Sequence, residues 1–339
     1  MPDGPFSPKD IQRRAQDIRA HWSPDPEQIA LRPDISGNAI NGLNESEVRR
    51  PTPVYWQDPE TIAHGAMQTW FGERDMIPEI DEIAARRQVI LDQPIPDQVQ
   101  DRTDRTPQTW RDEIDQIALS AGADQIGVAA FDPLWVYDTK TVPNHPTVIL
   151  LVVEQDYDRM SEAPGQIAGA EVLTQYSRVL KAARHLAGYI RQHGWDAEAH
   201  GSPTPATFTM IPAAIAAGLG ELGKHGSMIH ERYGSNFRLG AVTTDLPLVP
   251  DTPREFGADT FCQSCRVCEH ACPPQALSPD KHMVRGVTRW YVDFDKCQPF
   301  FNEHLGCSIC TTICPWSQPG VAERLLPKMA RRKANSSQD

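Results

Sequence analysis

Apolar residues recur along the chain with two different periods, and the change of period marks where a folded core begins. Up to about residue 105 they are sparse and lie among prolines and acidic residues. Short helices are predicted at 8–21 and 78–93. The stretch Pro53-Val54-Tyr55-Trp56 and the segment Met67–Met76, with Trp70 and Phe71, are the apolar anchors of this region. Residues 1–105 therefore read as an arm or subdomain wrapped over the rest, not an independent fold. Aromatics in such a stretch serve more often as packing anchors than as ligand contacts.

From about residue 107 helical and strand periods alternate. Trp110–Ala121 carries Ile114, Ile117 and Ala118 at helical spacing and ends at Gly122. Gln125–Ala130 (QIGVAA) reads as a short strand. Thr147–Glu154 (TVILLVVE) is a continuous apolar run, hence a buried strand. Ala168–His193 is a long helix with Val172, Tyr176, Val179, Leu180, Ala183, Leu186, Ala187 and Ile190 on one face, closed by Gly194. Pro212–Leu222 (PAAIAAGLGEL) reads as a small-residue helix with Pro in its first turn. Arg238–Thr244 is a further strand, and 319–339 is a basic tail ending in a polar, disordered stretch.

Length and charge narrow the function classes. A chain of 339 residues buries a real core, and two domains is the soft expectation. A net charge of −12 argues against a nucleic-acid surface, which needs a basic patch. No apolar run reaches the ~18 residues that span a bilayer. The first residues, MPDGPFSPKDIQRRAQD, carry no apolar export segment, so a cytoplasmic location is expected.

The cysteines carry the strongest signal. All eight lie between Cys262 and Cys314. The first run is Cys262-x2-Cys265-x2-Cys268-x3-Cys272-Pro273. The second set is Cys297, Cys307, Cys310 and Cys314, followed by Pro315. Paired C-x2-C-x2-C-x3-C-P runs are the two-cluster ferredoxin signature, in which the fourth Cys of each run ligates the other cluster. Here the second run has drifted: His304 stands where its first Cys would fall, and Cys297 lies upstream. The expected ligand sets are Cys262, Cys265, Cys268 and Cys314 for one 4Fe-4S cluster, and Cys272, Cys297, Cys307 and Cys310 for the other. Disulfides would need an oxidising compartment, and zinc sites do not use interleaved runs of this kind.

A second constellation lies upstream. Gly218, Gly220, Gly223 and Gly226 cluster at a helix end, where glycines let a backbone approach a large flat ligand. Alone this is weak, and no G-x-G-x-x-G or P-loop is present. Together with Tyr233-Gly234, Arg238-Leu239-Gly240, Thr244-Asp245-Leu246-Pro247-Leu248 and the cysteine pattern, however, it resembles the corrinoid-dependent reductive dehalogenases over roughly residues 107–318. The stretches GLGELGKHG and GCSICTTICPW are similar to epoxyqueuosine reductase too.

The resemblance implies an α+β protein: a nitroreductase-like α/β cobalamin-binding core (106–256) followed by a ferredoxin-like domain with two 4Fe-4S clusters (257–318). It implies base-off cobalamin, with contacts at Ile211, Gly218, Gly220, Glu221, Leu222, Gly223, Lys224, Gly226 and Met228. His225 and His230 then read as polar contacts rather than cobalt ligands. The family pattern places a proton-donating Tyr on the long helix and a basic residue after the Tyr-Gly element, here Tyr176 and Arg238. Arg238 near the phenol would favour tyrosinate and bind a phenolate or halide. The implied substrate is a halogenated aromatic, and the implied electron source is a separate ferredoxin with its reductase, since no flavin or NAD(P)H motif is present. A homodimer is compatible with this reading. Where epoxyqueuosine reductase carries an acidic proton donor and a Glu-Arg pair, this chain has Thr204 and uncharged neighbours. That departure and the acidic charge favour the dehalogenase reading over one acting on tRNA. A non-catalytic corrinoid or iron–sulfur electron-transfer protein is the third alternative.

Overall fold

A computed structural model describes residues 6–201 and 206–336. Its centre is a four-stranded sheet of β1 (Gln125–Ala130), β2 (Thr147–Glu154), β3 (Ala197–His200) and a later strand, Phe237–Thr244. Two short strands, β4 (Glu221–Leu222) and β5 (Met228–Ile229), pair with each other just before it, so that strand is β6. The sheet order is β1-β2-β6-β3, antiparallel throughout. The continuous apolar run of β2 thus reports a strand covered on both faces, not a parallel one.

The two faces bury alternate residues of β2. Ile149, Leu151 and Val153 pack with the helices Pro107–Ser120 and Gln166–Gln192, through Trp110, Ile114, Val179, Ala183 and Leu186. Val148, Leu150 and Val152 pack with Phe208, Ala213, Ala214 and Ala217 around the helix Met210–Ala216. The long helix runs two residues earlier than its apolar face predicts, and ends one residue sooner. The helix expected at 212–222 stops at Ala216. Gly218 then takes a left-handed φ of +71°, and the chain continues into β4 rather than on through a helix.

The segment after Gly257 supplies short helices and a hairpin, β7 (His282–Val284) and β8 (Val287–Arg289). The arm lies against it. Ile11 and Ala15 of the first helix, Pro8–His21, join the apolar cluster that holds Cys268, Cys272 and Phe300. Arg19 donates to the carbonyls of His270 and Cys272, and the Tyr55 hydroxyl donates to Asn302 Oδ1 at 2.7 Å. The basic tail is not loose where it is described. Ala322–Ser336 is a helix whose Leu325, Leu326 and Met329 pack on Phe256 and Trp316. Its last residues, 337–339, lie outside the described residues, as does Thr204.

Candidate functional site

All eight cysteines are free thiols, and they separate into two sets by which of them oppose each other's ionisation. Cys262, Cys265, Cys268 and Cys314 form one set. Cys272, Cys297, Cys307 and Cys310 form the other. Cys268 also feels Cys310, so the sets are neighbours. These are the interleaved sets that the spacing predicts. Burial pushes Cys262 up to about 11 and Cys297 up to about 12, and raises Cys268, Cys272, Cys307, Cys310 and Cys314 as well. Thiols held protonated in this way need a strongly cationic group to become thiolates.

The donor set fits an iron–sulfur cluster in a second respect. Backbone N–H groups reach the sulfurs: Ala276 donates to Cys272 Sγ at 3.4 Å, Lys224 to Cys262, Trp316 to Cys314 and Ile309 to Cys307. Such donors stabilise anionic sulfur and tune the cluster. No three His, Cys, Asp or Glu side chains among the described residues stand close enough to ligate a single ion. A four-iron cube holds its thiolates further apart than one zinc, whose Zn–S bonds are ~2.3 Å.

The glycine-rich turn is bound to this chemistry in a way its sequence did not suggest. Lys224 is buried, and its Nζ donates to the Cys265 carbonyl at 3.0 Å, lies 3.7 Å from Glu269 and sits 5.0 Å from the Trp290 ring centre. Glu221 accepts from the backbone N–H groups of residues 256–259, tying the turn to the start of the helix Ala258–Ser264. Met228 is buried in the core. A Cβ at Gly218, Gly220, Gly223 or Gly226 would strike Thr252, Ile229, His225 or Val292. The side chains expected to meet cobalamin are thus largely spent on joining the core to the first thiol set. Ile211 and Leu222 are the exceptions, since both line an open cleft. His225 and His230 make polar contacts inside the turn, to Ser227, Ser235, Arg232 and Tyr233. Burial lowers both to about 4, so they are neutral.

Tyr176 and Arg238 are brought together. The Arg238 guanidinium lies over the Tyr176 ring, 5.4 Å from its centre. Gly240 makes this possible. It shares a strand face with Arg238, and a Cβ there would stand 2.7 Å from Val179 Cγ2. The helix therefore approaches β6 closely at Val179, and one turn earlier this sets Tyr176 over Arg238. Gly240→Ala is expected to cost ~1–3 kcal/mol by overpacking and to separate the pair. Equilibrium unfolding and the rate of the reaction proposed below check both effects.

The pair lines a cavity of about 380 Å3 shared by three parts of the chain. The arm contributes Trp56, Phe71, Met76 and Ile80; the long helix Gly169, Val172 and Leu173; the ferredoxin-like segment Phe301 and residues 305, 306 and 308. Phe71 and Phe301 stack at 5.9 Å, with the edge of Trp56 against both. Trp56, Leu305, Cys307 and Ser308 all have left-handed φ between 48° and 63°, and Gly306 lies between them at +99°. Non-glycine residues held there are strained by about 1–2 kcal/mol each. The turn carries Cys307, so the second thiol set borders the cavity.

Two participants escaped the sequence reading. Arg87, on the arm helix Pro78–Asp92, lies within electrostatic reach of Tyr176. Glu171 is buried on the long helix and acts on Arg238, which burial otherwise holds below its ordinary value. An acidic residue on the apolar face of a helix was the available signal for Glu171; nothing local marks Arg87.

Polar atoms without partners gather at the seam between the sheet and the ferredoxin-like segment. Gln155 Oε1, Asn236 Oδ1, Arg238 Nε and Thr312 Oγ1 are buried without a hydrogen bond. Gln155 and Asn236 are joined through backbone, and Asn236 donates to the Ser317 carbonyl. Buried polar atoms left in this state call for a ligand. The seam therefore fits a large polar cofactor.

Comparison with known proteins gives the same account. Residues 261–317 match the 4Fe-4S dicluster domain family. The tetrachloroethene reductive dehalogenase of Desulfitobacterium hafniense is 32% identical over 219 residues, covering 61% of this chain and 39% of that protein. The epoxyqueuosine reductase of Xanthomonas campestris pv. campestris is 31% identical over 152 residues, 42% of this chain and 40% of that protein. A solved reductive dehalogenase described by its B12-dependent dehalogenation superposes with a TM-score of 0.67 at 20% identity, over 88% of this chain and 46% of that one. The catabolic reductive dehalogenase NpRdhA, in complex with 3-bromo-4-hydroxybenzoic acid, superposes with a TM-score of 0.63 at 24% identity, over 80% of this chain and 40% of that one. The chain spans about two fifths of the length of these curated relatives. It is a relative of the reductive dehalogenases, with their fold over most of its length and a 4Fe-4S dicluster segment at residues 261–317.

Proposed function

We propose that the chain catalyses reductive dehalogenation of a halogenated aromatic, in the first place a phenol, using base-off cobalamin and two 4Fe-4S clusters. The observation that carries this reading is the Tyr176–Arg238 pair in an aromatic-walled cavity bordered by the Cys307 turn. The cavity is the size of a single substituted ring, and NpRdhA's bromohydroxybenzoate complex supports a phenolic ligand.

Cobalamin, when bound, supplies a strongly reducing centre. Gln155, Asn236 and Thr312 at the seam would meet its polar groups, and the backbone of the Gly218–Gly226 turn, with Ile211 and Leu222, is the expected complement. Replacing halide by hydrogen takes up two electrons and one proton: the carbon–halogen bond breaks and a carbon–hydrogen bond forms. Tyr176 gives its phenolic proton to that carbon. Arg238 stabilises the tyrosinate left behind and holds the phenolate or the departing halide. Trp56, Phe71 and Phe301 orient the ring and exclude water, which strengthens each of these interactions.

Arg238→Ala is expected to raise KM for phenolic substrates and to lower kcat, both read by steady-state kinetics. The reaction class is tested with protein reconstituted with iron, sulfide and cobalamin under anaerobic conditions. Brominated and chlorinated phenols should lose halide with a chemical reductant, or with a ferredoxin and its reductase, but not with NAD(P)H alone. Epoxyqueuosine reduction is the second reading, favoured by the match to that family. Conversion of epoxyqueuosine in a tRNA stem with no halide release from the phenols would replace the first reading by the second.

A further inference from the structure

A cleft of about 350 Å3 lies away from the Tyr176 cavity, between the helix Met210–Ala216 and the β7–β8 hairpin. Its walls are apolar: Leu134, Trp135, Ile211, Ile215, Leu222 and Val287. Leu134 and Val287 are 46% and 49% exposed, and Val48 on the rim is 62% exposed. Three arginines face the same space, Arg49, Arg285 and Arg289, with Asp132 as the acidic residue among the lining side chains. Asp132 is engaged as a helix cap, its Oδ1 accepting from the Leu134 backbone.

The arginines differ in how they are used. Arg49 is neutralised by both carboxylate oxygens of Glu45, at 2.8 and 2.9 Å. Arg285 and Arg289 have no carboxylate within ion-pair distance among the described residues, whose ion pairs involve neither. They donate to the carbonyls of Asn41 and Val284 instead. Arg289 Nε is buried with no hydrogen-bond partner. Arg285 is the first residue of a two-residue hairpin turn, Arg285-Gly286, with φ of 48° and 76°. Asn, Asp or Gly is the usual choice at that position, because left-handed φ strains other side chains. The chain thus spends strain to place a guanidinium beside two others, in a protein of net charge −12. Burial and the neighbouring arginines both oppose the charge on Arg285. Clustered, half-buried cations without counter-charge are costly unless an anion completes them.

We propose that this cleft binds an amphiphilic anion, a phosphate or carboxylate on an aromatic or aliphatic body, with Arg285 and Arg289 taking the anionic group and Ile211, Leu222 and Trp135 the body. Two sources share this chemistry. One is the nucleotide tail of the corrinoid, an aromatic base joined through a phosphodiester, which must be held by protein if the base leaves the cobalt. The other is a free small anion. The site itself does not depend on the dehalogenation reading, and only the first source rests on cobalamin binding.

The test uses cluster-reconstituted full-length protein and its Arg285→Gln/Arg289→Gln double variant, with cluster absorbance and circular dichroism confirming that the variant is folded. Three probes are titrated: cobalamin, cobinamide (which lacks the nucleotide tail) and phenyl phosphate. A tenfold or greater loss of cobalamin affinity with cobinamide unchanged assigns the site to the tail. A tenfold or greater loss of phenyl phosphate affinity with both corrinoids unchanged assigns it to a separate small anion. If the variant binds all three as the unaltered protein does, or loses cobalamin and cobinamide equally, the proposal is overturned. Failure to dehalogenate phenols would leave each of these binding outcomes intact.

Discussion

Tyr176→Phe is expected to leave the clusters and cobalamin binding in place while lowering turnover of a halogenated phenol by ~10²-fold or more, the usual scale for losing a general acid. The ring of residue 176 packs between Leu173 and Arg238 in the cavity wall, and phenylalanine keeps that packing. What disappears is the hydroxyl, the proton source closest to the Arg238 guanidinium. Single-turnover measurements separate this from a binding effect, because loss of the donor lowers the chemical step and leaves KM near its original value. Arg238→Ala, by contrast, alters both. Full activity in Tyr176→Phe would show that the proton comes from elsewhere, and the site assignment would fail while the kinship with the dehalogenases stood.

Cys297→Ala is expected to remove about half of the iron and acid-labile sulfide, by loss of one cluster from two. Cys297 is buried among Cys272, Cys307 and Cys310, and all eight cysteines of the chain are already assigned, so none is spare. His304, where a regular second run would place its cysteine, cannot substitute. Its ring stacks on Phe300 at 3.8 Å, and its Nδ1 bonds the Phe300 carbonyl at 2.9 Å. Iron and sulfide analysis, with absorption spectra, reads the result. Retention of all iron would show that the drifted cysteine is not a ligand and that the second set is closed by another residue. Because this set borders the cavity through the Cys307 turn, loss of its cluster should also interrupt electron delivery, leaving cobalamin bound but unreduced by the ferredoxin partner.

What the sequence determined by itself is the chemistry that depends on local spacing. Eight cysteines in two interleaved runs predict which thiols share a site, because C-x2-C-x2-C curls the backbone regardless of what surrounds it. The strands at 125–130 and 147–154 and the long helix were legible for the same reason: each buries its own periodic face. The end of the helix at Ala216 was not, since small residues run on to Leu222 and only the pairing of β4 with β5 turns the chain. Nor was the use of the glycines. Flexibility is visible in a sequence, but what a glycine makes room for is not, and here the room is filled by Thr252, Ile229, His225 and Val292.

Tertiary structure alone decided the remaining features of the site. The resemblance named Tyr176 and Arg238, but nothing in the spacing of a helix and a strand some sixty residues apart shows that they meet; Gly240 against Val179 settles it. The arm's aromatics read as packing anchors. Tyr55 is one, bonded to Asn302, whereas Trp56 and Phe71 wall the cavity, because the arm crosses it to reach the ferredoxin-like segment. Lys224 read as a cofactor contact and is instead a link between the core and the first thiol set. Arg87, Glu171 and the arginine cleft were invisible, because the groups each of them faces come from distant parts of the chain, and proximity between such parts is a property of packing rather than of sequence.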